Sequence, residues 1–194
     1  LLPLGNGRVI YNGAPEPPEG ETPLFTDLKK PVLGVLARGA PEKGHDWMRE
    51  LWERLGKPGT LVFAGALGEA LRARSEAGGV FCPGFVDSGP LLRSLDLLCV
   101  PSTTEGVPTV VQEAMMRGVP VLCTPVGGVP ELVRHGRNGF LLARGEWWEF
   151  LETMDWDEAK RVAHAGERFA RQNLSFDAML AGFREAARDA ADAR

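Results

Sequence analysis

Short apolar runs alternate with helically spaced apolar positions along most of this chain. Val32–Ala37, Leu61–Ala64, Val80–Phe81, Leu97–Val100 and Val119–Cys123 are near-continuous apolar stretches of strand length, and Phe140–Leu142 is a weaker sixth. Such runs are expected of strands buried on both faces. Between them Trp47, Met48, Leu51, Trp52 and Leu55 recur at helical spacing, as do Leu67, Leu71 and the stretch to Ala77, then Val110, Val111, Ala114 and Met115. The alternation predicts an α/β, Rossmann-like domain: a mostly parallel sheet, helices on both faces, and ligand-binding loops at the carboxyl ends of the strands.

The two ends break this pattern. Asn12-Gly13 with Pro15, Pro17, Pro18 and Pro23 cannot sustain a helix or central strand, so residues 1–29 read as a connector leading into the α/β unit of residues 30–145. Residues 146–194 are helical only, through Glu146–Met154, Asp157–Gln172 and an amphipathic stretch carrying Phe176, Met179, Leu180, Phe183 and Ala187. That tail needs a surface to pack against. Leu1–Gly7 has no basic segment followed by a long apolar run, so no signal peptide is expected, and the leucine start reads as the interior of a longer protein.

Composition narrows the class. With 44% hydrophobic and 25% charged residues in 194, the chain has the makeup of one soluble globular domain. No apolar run approaches the eighteen or so residues of a membrane span, and a cytoplasmic location is expected. A net charge of −4 argues against a general nucleic-acid binder. Cys82, Cys99 and Cys123 are odd in number and lie in or beside apolar runs, so they read as buried thiols rather than a metal site.

The chemistry concentrates in Pro101–Met115, between a strand and a helix, where Glu105 and Glu113 stand eight residues apart. Gly106 permits close backbone approach and Pro108 suits a first helical position. The free amides near Val107, Thr109 and Val110 are then placed to face an anion. Arg38 and Lys43, in the Gly- and Pro-punctuated loop after the first strand, offer two cations for a pyrophosphate. Each feature alone also has an ordinary reading. Glu105 complements a helix dipole, Glu113 is a solvated helix residue, and Arg38 and Lys43 make surface pairs with Glu42 or Asp46. Gly65-Ala66-Leu67-Gly68 is most simply a turn into a helix, and the histidines lack partners at metal spacing.

Taken together these elements resemble the carboxyl-terminal domain of GT-B glycosyltransferases of family four, also called group 1. The resemblance runs from Val9-Ile10-Tyr11-Asn12-Gly13 through Arg38 and Lys43, Gly84-Phe85-Val86, the paired Glu105 and Glu113, Pro120-Val121 and Gly127-Gly128. It departs at Ala37, where the family usually has glycine. The resemblance implies donor phosphate binding by Arg38 and Lys43, donor contacts from Gly106, Val107, Pro108 and Thr109, ribose binding by Glu113, and a catalytic Glu105 near the donor sugar of a retaining transfer. It implies a hexosyl group passing from a nucleotide diphosphate-sugar to an acceptor hydroxyl, with no metal or other cofactor. The partner would be an acceptor-binding amino-terminal domain of the same protein, without which this domain is inactive, and any peripheral membrane contact would run through that domain.

Three other functions compete with this one. A sugar-nucleotide epimerase or phosphorylase of related fold would also recognise sugar and phosphate, but the combination of arginine, lysine and paired glutamates favours a transferase. A non-catalytic nucleotide-binding module would suit a chain without an acceptor domain. A nicotinamide oxidoreductase shares the alternation but would need a G-x-G-x-x-G turn that is missing.

Overall fold

The structure is a computed structural model describing residues 9–192. The reading of Leu1–Gly7 falls outside them. The centre is a parallel sheet of β1 (Val32–Leu36), β2 (Thr60–Ala64), β3 (Phe81–Gly84), β4 (Leu97–Val100), β5 (Val121–Cys123) and β6 (Phe140–Leu141), in the order β3-β2-β1-β4-β5-β6. This is the strand order of doubly wound α/β folds, which reverses between the first and fourth strands and opens a crevice there. The Rossmann-like expectation is met.

Why the strands read as unbroken apolar runs is visible in the packing. Successive side chains of a strand point to opposite faces. Val62 and Ala64 of β2, with Leu98 and Val100 of β4, join one core; Leu61 and Phe63, with Leu97 and Cys99, join the other. Helix α1 (His45–Arg54) brings Met48, Leu51 and Trp52 to the second core, while α4 (Thr109–Met116) brings Val111, Ala114, Met115 and Met116 to the first. The remaining helices are α2 (Glu69–Ala77), α3 (Ser88–Ser94), α5 (Val129–Leu132), α6 (Trp147–Glu152), α7 (Trp156–Asn173) and α8 (Phe176–Asp192). Trp147 is fully buried, a packing residue as its size suggests.

The segment between β3 and β4 folds as the short helix α3, and one reading needs correction, that of Pro108. Asp87 caps α3, accepting the Gly89 N–H at 3.0 Å, and Leu91 and Leu92 bury its short apolar face. Gly89 and Pro90 inside only seven residues hide that helix from a periodicity count. Pro108 stands at the N-cap of α4 with extended backbone, one position before the helix begins. Residues 12–23 form no helix or strand yet do not hang free: Ala14 is buried and donates its N–H to Leu174 O at 2.7 Å, and Glu21 is held by Arg117 and Arg93.

His45 opens α1 buried edge-on against Phe63, ring centroids 5.0 Å apart, and neither ring nitrogen has a hydrogen-bond partner. Burial lowers its pKa to about 4. A depressed folded pKa means that the unfolded chain takes up the proton first. Its stabilising contribution is therefore complete above the ordinary histidine value of about 6.5 and is lost as pH falls toward 4. We expect His45 alone to lower the unfolding free energy by about 2 kcal/mol between pH 7 and pH 5. Urea denaturation of the wild type and His45→Leu at both pH values checks this; equal pH dependence in the two proteins would refute it.

Candidate functional site

The carboxyl ends of β1 and β4 diverge at the reversal of strand order, and two cavities open there side by side. One, of about 460 Å³, is lined by Arg38, Lys43, Ser102, Glu105, Val107 and Thr109 among others. The second, of about 540 Å³, is lined by Gly65, Ala66, Phe85, Val86, Ser88 and Glu113 among others. Leu36, Ala37, Arg38 and Val110 border both, so the two form one elongated cleft.

The loop after β1 carries the cations. It forms a single 3-10 turn over Pro41–Lys43 and ends at Gly44, whose φ of 74° is a left-handed conformation. A Cβ there would lie 2.4 Å from Pro101 O, so only glycine lets this loop close on the end of β4. The Thr103 N–H donates to Glu42 O at 2.8 Å and ties the loop to the Pro101–Gly106 segment. Arg144 donates through Nε to Pro101 O at 3.0 Å from the other side.

Within this frame the side chains pair specifically. Lys43 Nζ donates to both carboxylate oxygens of Glu105, at 2.7 and 2.8 Å, and Ser102 Oγ donates to Glu105 Oε1 at 2.6 Å. The pair is largely shielded, with side chains 18% and 8% exposed. Arg38 is open to solvent and donates to Glu42 at 2.7 Å. The surface partner considered for Arg38 is thus real, whereas Asp46 pairs with Arg74 and not with Lys43.

Glu105 is braced from behind. Gly127 has a φ of 56°, and a Cβ on it would lie 1.8 Å from Glu105 O; the Gly128 N–H donates to Gly106 O at 2.8 Å. The two glycines support the backbone beneath the glutamate. Gly106 is exposed and lines neither cavity, whereas Val107, Pro108, Thr109 and Val110 border the first. Thr109 and Val110, whose amides lead α4 and have no acceptor one turn back within the helix, border that cavity, while the Val111 N–H donates to Pro108 O at 3.2 Å. Glu113, on the next turn of α4, accepts a hydrogen bond from Ser88 Oγ at 2.7 Å.

Sequence reasoning assigned no role to Ser102, Ser88 or Phe85. Ser102 and Ser88 each orient one glutamate. Phe85 is 87% exposed at the rim of the second cavity, an apolar ring left in water. Gly65 and Ala66, read as a plain turn, also line that cavity. Phe85 carried a signal in the Gly84-Phe85-Val86 segment; the serines carried none, because their partners are set by folding.

Burial raises the pKa of Cys82, Cys99 and Cys123 above the ordinary thiol range, and all three are free thiols. Among the described residues no three His, Cys, Asp or Glu side chains group as a metal-ligand set, and no helix is long and apolar enough to cross a membrane.

The geometry can be set beside known proteins. Residues 30–156 match the family described as Glycosyl transferases group 1. An uncharacterised glycosyltransferase of Haemophilus influenzae is 33% identical over 126 residues, covering 58% of this chain and 35% of that protein. The Anabaena protein HepE, solved in complex with UDP-glucose, superposes with a TM-score of 0.71 at 27% identity, covering 84% of this chain and 49% of that one. The carboxyl-terminal domain of a group 1 glycosyl transferase family protein (LpcC) from Francisella tularensis superposes with a TM-score of 0.66 at 20% identity, covering 87% of this chain and 97% of that domain. The chain spans about a third of the length of the curated relatives it matches.

Proposed function

The chain belongs to the group 1 glycosyl transferases, and from that membership we propose that it is the donor-binding domain of a retaining GT-B enzyme. The reaction is transfer of a hexosyl group from a nucleotide diphosphate-sugar to an acceptor hydroxyl, giving a glycoside and a nucleoside diphosphate. One observation carries the reading: the cation-lined and the Glu113-lined cavities share a border at Arg38, so phosphates and nucleoside fit one continuous cleft. The solved complex of HepE with UDP-glucose supports it by similarity.

Each part of the donor then has a chemical counterpart. Arg38, Lys43 and the first amides of α4 stabilise the diphosphate as it leaves and gathers charge. Glu113, oriented by Ser88, accepts hydrogen bonds from the ribose hydroxyls. Phe85 offers its ring to the base, and Glu105 lies on the phosphate side, toward the sugar. The acceptor is bound by an amino-terminal domain of the full-length protein, and transfer requires both halves. No metal takes part in this reading, because the cations of the loop serve the leaving group.

Calorimetric titration of this chain with UDP, GDP and ADP, with and without magnesium, tests the proposal. Binding of one nucleotide at equal affinity in both conditions is expected; absence of binding by all three would overturn the reading. Aromatic stacking on a base is worth about 1 kcal/mol or more, so Phe85→Ala is expected to weaken nucleotide binding roughly fivefold. Unchanged affinity in that variant would remove Phe85 from the site.

A further inference from the structure

Both cations of the phosphate cavity are already neutralised by carboxylates of the protein itself. Arg38 is paired with Glu42 at the surface, where water screens the contact. Lys43 is paired with Glu105 in a shielded position, where charges act on one another far more strongly. The carboxylate is held in place from several sides. Gly127 abuts its backbone, Ser102 holds one oxygen, and Lys43 is anchored through the loop that Thr103 ties to Glu42. Two of the three ammonium N–H bonds serve Glu105, which leaves one for a phosphate oxygen.

We propose that Glu105 is a specificity-determining counter-charge, which makes the site favour the sugar-bearing nucleoside diphosphate over the free nucleoside diphosphate released by transfer. The inference rests on the donor-site reading above. In the donor the β-phosphate is bound on both sides, by an anhydride to the α-phosphate and by an ester to the sugar. Breaking its bond to the sugar leaves a terminal phosphate, which carries an additional negative charge near neutral pH. A fixed carboxylate behind Lys43 repels that product more than it repels the donor. Glu105 therefore loosens the product as it forms.

Opposed effects decide the sign of the test. Removing the carboxylate loosens the lysine side chain, which disfavours binding, and also removes a buried anion, which favours it. In a shielded site the charge dominates. We expect Glu105→Gln to bind the free nucleoside diphosphate at least about tenfold more tightly and the sugar ester no more than about threefold more tightly. Lys43→Gln, which leaves the carboxylate without its partner, weakens both. The double variant Lys43→Gln/Glu105→Gln removes both charges and strands neither, so it keeps the fold if Glu105→Gln alone does not. It is expected to bind the nucleoside diphosphate within about threefold of the wild type.

Calorimetry of the four proteins with UDP and UDP-glucose, GDP and GDP-mannose, ADP and ADP-glucose, and inorganic pyrophosphate reads these ratios. Equal or weaker nucleoside diphosphate binding by Glu105→Gln, or a double variant as weak as Lys43→Gln, overturns the inference and leaves the donor-site reading standing. Absence of any nucleotide or pyrophosphate binding by all four proteins overturns both.

Discussion

Replacing Arg117 by alanine is expected to destabilise the domain by about 3–5 kcal/mol, the cost of stranding a buried carboxylate. Arg117 donates to both oxygens of Glu21, each at 2.9 Å, and both side chains are only 5% exposed. Arg93 also reaches Glu21, at 3.2 Å, but its side chain is more open to water. Arg117 also donates to Glu113 O at 3.2 Å, so its pair with Glu21 fastens the proline-rich connector to the end of the helix that carries Glu113. The hydrogen bond from Arg117 is the main cause that holds the Glu21 carboxyl below its ordinary range. A depressed carboxyl pKa means that the pair stabilises fully above the unfolded value of about 4.3 and that this is lost as pH falls through the folded value. Urea unfolding at neutral pH and near pH 3 measures both effects. A loss below about 1 kcal/mol at neutral pH would show that the pair is merely a surface contact.

Glu113→Ala is expected to weaken binding of the preferred nucleoside diphosphate by roughly ten- to a hundredfold, since a hydrogen bond to a charged carboxylate is worth about 1.5–3 kcal/mol. Ser88 occupies one oxygen at 2.7 Å and fixes the direction of the carboxylate, while the remaining lone pairs are available to ribose hydroxyls. Ser88→Ala should therefore weaken binding less than Glu113→Ala, because it removes the orienting contact and not the acceptor. The discriminating measurement is affinity for the ribonucleotide against its 2′-deoxy form. Glu113→Ala should narrow that gap, and an unchanged gap together with unchanged affinity would exclude the ribose role.

Much of the fold was legible along the chain for one physical reason. A strand covered on both faces must be apolar at every position, so β2 and β4 announced themselves as runs, and the helices between them as spaced apolar stripes. The short α3 did not, because Gly89 and Pro90 interrupt its pattern and only the Asp87 cap and two buried leucines sustain it. The prolines of the connector forbid regular structure, as expected, but its anchorage depends on Glu21 meeting Arg117, 96 positions away.

The candidate site divides in the same way. Residue types and local spacing placed Arg38, Lys43 and Glu105 in loops at the carboxyl ends of strands and Glu113 inside the following helix, since backbone direction follows from the alternation of elements alone. What those side chains touch was not local information. Lys43 and Glu105 are 62 positions apart, and their pairing follows from Gly44 closing one loop on β4 and Gly127 bracing the other. The sequence by itself determined the parallel sheet and the edge at which the cleft opens, because burial on two faces and the handedness of crossovers are written in short-range patterns. Only the tertiary structure decided that Arg38 and Lys43 are each paired with a carboxylate, because electrostatic partners are chosen by distance in space, which folding alone sets.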